Sequence, residues 1–91
     1  MGKFLATHTL PSPATLDEAG VFAKAAKANC SSNAYWIGAS ILLNEQGKAT
    51  KIFCEWDAKD AASIRQVLAK IPGLPVDGAY PMAKVNGEAC R

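Results

Sequence analysis

Residues 51–78 read KIFCEWDAKDAASIRQVLAKIPGLPVDG, a strand running into a helix that ends on a hard stop. Ile52, Cys54 and Trp56 alternate with Lys51, Glu55 and Asp57, the period of two that a half-buried strand requires. Asp60 then suits an N-cap, because its carboxylate can accept a backbone N–H that the first helical turn leaves free. Ala61, Ile64, Val67, Leu68 and Ile71 recur at helical spacing and form one apolar stripe. Pro72-Gly73 closes it, since proline has no N–H to donate and glycine readily turns the chain out of a helix.

Working outward, the same grammar repeats on the N-terminal side. Residues 3–10 form an extended run, with Pro11-Ser12-Pro13 as the expected end of a first strand. Thr15 and Glu18 stand three apart as a capping box and open a helix whose apolar face is Leu16, Ala19, Phe22, Ala23 and Ala26. The stretch from Asn29 to Asn33 breaks that helix, residues 35–43 read as a second strand, and a last strand is expected over residues 79–85. The order βαββαβ in one short α+β chain is the ferredoxin-like arrangement. It implies a four-stranded antiparallel sheet in the order 4-1-3-2 with two helices on one face. The whole chain, 1–91, is one domain, with 85–91 as a flexible tail.

The hairpin between the two central segments decides which side chains share a face. A two-residue turn at Gln46-Gly47 pairs Glu45 with Lys48. It sets Ile37, Ala39, Ile41 and Leu43 against Trp56, Cys54, Ile52 and Thr50 on the helix side. Trp36, Gly38, Ser40 and Leu42 then oppose Asp57, Glu55, Phe53 and Lys51 on the other, helix-free side. With Phe4 added, that open face carries enough aromatic surface to predict a second subunit over it, enclosing a chamber for a small-molecule ligand.

His8 is the lone histidine. If Leu5 and Thr7 point to the helices, His8 lies on the open face with Phe4 and Ala6, beside Lys51 or Phe53. Glu55 is then one diagonal step away, about 7–8 Å at Cα, and Asp57 is farther off. Imidazole with carboxylate can hold a divalent metal or relay a proton, and a third ligand would come from Tyr80, water or a partner. The plainer alternative is a half-buried histidine hydrogen-bonded to Glu55 or to a backbone carbonyl.

Composition narrows the classes. Ten basic residues against eight acidic leave a net charge of +2, scattered along the chain, which argues against nucleic acid as a partner. Cys30, Cys54 and Cys90 are odd in number and widely spaced, unlike a disulfide framework or a zinc cluster, so reduced thiols and a cytoplasmic setting are expected. There is no apolar run of the roughly 18 residues a membrane span needs, and no leader pattern. No phosphate loop, nucleophile elbow or metalloprotease motif occurs.

The chain resembles, over nearly its whole length, a bacterial domain family of unknown function that includes a nickel-binding, homodimeric ferredoxin-like protein. The resemblance rests on His8 near the end of the opening strand, Phe53-Cys54 followed by Asp57-Ala58, the helix from Asp60, and Gly73-Leu74-Pro75-Val76-Asp77. It implies a homodimer and nickel or another divalent metal, with His8 and Asp57 as the ligands that carry over by motif and Glu55 added by the register above. The chain departs from the family pattern at Leu68 and Pro72, where relatives carry histidine, and at Ala6, where they carry an acid. The expected function is a small binding protein holding metal or a small ligand on the open face. The alternatives are a cofactor-free dimeric α+β-barrel monooxygenase or isomerase acting on a small hydrophobic substrate, and a pure interaction module.

Overall fold

A computed structural model describes residues 1–90; Arg91, the last residue of the expected tail, lies outside the described residues. The elements follow as β1 (Gly2–Ala14), α1 (Leu16–Ala28), β2 (Ala34–Leu43), β3 (Ala49–Ala58), α2 (Ala61–Leu68) and β4 (Gly78–Pro81). All strand pairs are antiparallel, in the order β2-β3-β1-β4, which read from the β4 edge is 4-1-3-2. Ile52, Cys54, Trp56 and Ala58 of β3 share one buried cluster with Ala19 and Ala26 of α1 and with Ile64, Val67 and Leu68 of α2, so both helices cover the same face.

Both helices begin as their sequences dictate. Thr15 Oγ1 accepts from Glu18 N at 3.1 Å while Glu18 Oε1 accepts from Thr15 N at 2.9 Å, the reciprocal capping box. Asp60 Oδ1 takes both the backbone N–H and the hydroxyl of Ser63. The α-helical part of α2 stops at Leu68, and Lys70 and Ile71 continue as tighter bonds to the carbonyls three residues back before Gly73 turns at φ 79°. On α1 the contact with the sheet is made by small residues: Ala19 and Ala26 are buried, while Leu16, expected on the apolar face, is half exposed.

The first strand departs from expectation in two ways. It runs on through Pro11 and Pro13 to Ala14, whose partner is Ala49, after a break in register beyond Thr9. The prolines are tolerated because residues 10–13 have no partners in the β3 ladder, so no strand bond needs their N–H groups. Its faces are also the reverse of those expected. Phe4 pairs with Trp56, Ala6 with Cys54 and His8 with Ile52, which puts Phe4, Ala6 and His8 under the helices and Leu5 and Thr7 on the open face. The cause is polarity: the odd positions Lys3, Thr7 and Thr9 are better solvated than Phe4 and Ala6, and burial of Phe4 decides the phase.

The hairpin reaches the expected register by an unexpected route. Gly38 opposes Glu55, Ser40 opposes Phe53 and Leu42 opposes Lys51, as read from the sequence. The turn, however, is one residue longer than expected: Asn44, not Glu45, bonds Lys48, and Gly47 sits at φ 75° with its N–H on the Asn44 carbonyl. A shift between Leu42 and Leu43, where Thr50 becomes the extra residue, restores the phase. A second bulge between Trp36 and Gly38 leaves Ile37 unpaired and carries Trp36 to the helix side against Trp56, not to the open face. β4 is shorter than the expected 79–85, and beyond it Gly87–Cys90 form a 3-10 turn inside the stretch expected to be a flexible tail.

Candidate functional site

The sheet itself separates the residues expected to act together. His8 is fully buried on the helix side. Glu55 opposes Leu5 and Asp57 opposes Lys3, so both carboxylates lie on the open face, one strand over and on the other side of the backbone. His8 therefore neither flanks Lys51 or Phe53 nor reaches Glu55 diagonally. Tyr80 also faces away from it, since Tyr80 pairs with Leu5.

What holds His8 is the segment between α2 and β4. Its Nδ1 lies 2.6 Å from the Pro75 carbonyl. A carbonyl can only accept, so Nδ1 carries the hydrogen and Nε2 is the bare nitrogen of the neutral ring. Nε2 is buried without a partner. The neighbours of His8 bind the same segment: Asp77 N–H donates to the Thr7 carbonyl at 2.8 Å, and the Thr9 hydroxyl donates to Asp77 Oδ2 at 2.6 Å. Three successive residues of β1 thus stitch down the Pro75–Asp77 stretch. Burial pushes the His8 imidazole below its usual pKa, against the opposing pull of the Pro75 bond and the Asp77 charge. A backbone carbonyl is among the partners the sequence allows for His8, and the structure assigns it to Pro75. The signal for the rest was the Leu74-Pro75-Val76-Asp77 run, long enough to lie along a strand before re-entering the sheet.

On the open face the charges are already matched. Lys84, from the segment after β4, donates to Glu55 Oε1 at 2.8 Å, and Lys3 approaches both Glu55 Oε2 and Asp57 Oδ1 at 3.8 Å. The Lys84 hydrogen bond, with the Lys84 and Lys3 charges behind it, holds the Glu55 carboxyl below its usual pKa. Around this cluster stand Leu5, Phe53 and Thr7, half-buried, with Leu42 and Tyr80 more exposed. Gly38, opposite Glu55, has open space where a side chain would begin.

Among the described residues no three His, Cys, Asp or Glu side chains converge. His8 offers a buried nitrogen on one face and Glu55 and Asp57 offer paired oxygens on the other, so these residues do not fit a divalent metal within one subunit. The cysteines are free and apart. Burial pushes the Cys54 thiol up, as befits a core residue. Cys30 is engaged locally, its thiol donating to the Ala26 carbonyl and accepting the Trp36 N–H at 3.2 Å. A crevice beneath α1, lined by Phe22, Trp36, Ile41, Ile52 and Leu74, measures about 20 Å³ and has room for one water, not for a ligand.

The chain matches no family model, no curated protein and no solved structure. No helix among the described residues is long and apolar enough to cross a membrane.

Proposed function

We propose that this chain is a ferredoxin-like module that works as a homodimeric binding protein, with the open sheet face as its working surface. The observation that carries the reading is that Leu5, Phe53, Leu42 and Tyr80 stand on the sheet face opposite both helices. The occupant is a second copy of the chain. Lys3, Lys84, Glu55 and Asp57 are paired within the subunit, so two copies can bring their apolar rows together about a two-fold axis without burying a lone charge among these four. The resemblance to a family with a homodimeric member favours the same assembly. Between two such faces the space over Gly38 and Ser40 would take a small ligand, with Glu55 and Lys84 as its polar contacts. The metal part of the expectation finds no donor set in one subunit and is not carried forward.

Light scattering of untagged protein at micromolar concentration tests the dimer. Phe53→Glu should lower the mass, because a charge placed in an apolar contact has no partner there. An unchanged mass in that variant would remove the open face as the contact.

A further inference from the structure

The two edges of the sheet are not alike. β4 is a four-residue edge that ends in Pro81, a short and blunted strand of the kind that resists further pairing. β2, at the opposite edge, is ten residues long and reads AYWIGASILL, with no charge and no proline. Its first part is spoken for: the Trp36 N–H donates to Cys30 Sγ and the Trp36 carbonyl accepts from Lys27 Nζ at 3.3 Å. Beyond the Ile37 bulge, the outward backbone groups of residues 38–43 have no strand beside them. Ile37, Leu42 and Leu43 flank this open edge at 44%, 48% and 50% exposure.

We infer that residues 38–42 pair antiparallel with the same segment of a second copy, about a two-fold axis at Ser40, joining two sheets edge to edge. An antiparallel pairing of a segment with itself is isologous by construction, so one surface serves both partners. Centred on Ser40, the register sets Leu42 beside the partner copy's Gly38 position on the open side, and Ile41 beside the Ala39 position on the helix side. Each branched side chain meets a small one, and the Ile37 bulge ends the pairing where Cys30 and Lys27 take over the edge. The contact is separate from the open-face dimer and does not rest on it; if both form, the particle is a tetramer.

Two variants test the edge. Ala39→Lys adds a charge at an exposed position on the helix side, away from the open face, and should halve the mass seen by light scattering with the far-UV circular dichroism unchanged. Ser40→Cys, made with Cys30→Ser and Cys90→Ser, should be joined into covalent dimers by a short bismaleimide, since directly opposed Cβ atoms lie about 4.5–5.5 Å apart. Lys24→Cys on α1 in the same background should not. Leu5→Glu, which charges the open face from β1 and is not paired with Ser40, should leave the Ser40→Cys cross-link intact, which separates this contact from the open-face dimer. The inference is overturned if Ser40→Cys cross-links no faster than Lys24→Cys, if Ala39→Lys keeps the wild-type mass, or if the edge is instead filled by a peptide of another protein on a chain that never pairs with itself.

Discussion

Protonating His8 should destabilise the fold, and the sign follows from its surroundings. The ring is fully buried, Nδ1–H already donates to Pro75, and a proton added at Nε2 would find no acceptor. Burial sets the folded-state pKa below the 6.5 of an unfolded chain, with Pro75 and Asp77 opposing. In the window between the two values the unfolded state binds more protons, so stability is full above pH 6.5 and is lost as the pH falls toward the folded value. One proton gives a slope of at most about 1.4 kcal/mol per pH unit. Against a total of about 5–14 kcal/mol for a domain of this length, that is a measurable fraction. Urea midpoints should therefore fall by up to about 0.5–1.4 M per pH unit in that window, at fixed protein concentration. Glu18, Glu55 and Asp60 are all held below their ordinary values and contribute only at lower pH, so the window belongs to His8. His8→Gln, which cannot titrate, should give a flat profile from about pH 7.5 to 5. Parallel profiles for wild type and variant, or a midpoint that rises on acidification, would refute the reasoning.

Three further outcomes follow from the packing and the caps. Ile64→Ala empties a fully buried site, costing about 2–5 kcal/mol, and should lower Tm by at least about 10 °C in calorimetry. Thr15→Ala removes the Oγ1 half of the capping box, leaving the backbone N–H of residue 15 on Glu18, and should cost about 1 kcal/mol, which Thr15→Ser should recover. With a thiol reagent at neutral pH, exposed Cys90 should react first and half-buried Cys30 more slowly, while Cys54 should react only after unfolding; fast labelling of Cys54 in the native protein would contradict its place in the core.

The elements most legible in the sequence were those with a local chemical reason. The Thr15–Glu18 and Asp60 caps, the stripe of α2 and the central register of the hairpin all depend on side chains a few positions apart, and each is found. The faces of β1 differ from expectation because the phase was set by pointing Leu5 and Thr7 to the helices, although Lys3, Thr7 and Thr9 mark the solvated side by simple alternation. Trp36 was misplaced because a bulge at Ile37 has no sequence signature in this strand, and one inserted residue turns all that precedes it to the opposite face. The candidate site failed with the reversed phase of β1 alone, since Glu55 lies on the open face as expected. A histidine and a carboxylate close in projection lay on opposite sides of one backbone layer. The full hold on His8 comes from residues far along the chain, a distance that local patterns do not report.

The central place of β1 bears on how the chain is made. It precedes both of its neighbours in the sequence: Gly2 must wait for Ala58, and β4, on its other side, comes later still. Such distant pairings are slow to form and leave both edges of the nascent strand open to other chains in the meantime. The hairpin of β2 and β3 holds the most local pairing in the sheet and borders the place that β1 fills. The Pro75 bond to His8 then closes only when the segment leading into β4 has arrived, and the imidazole resonance becomes a marker for the assembled sheet.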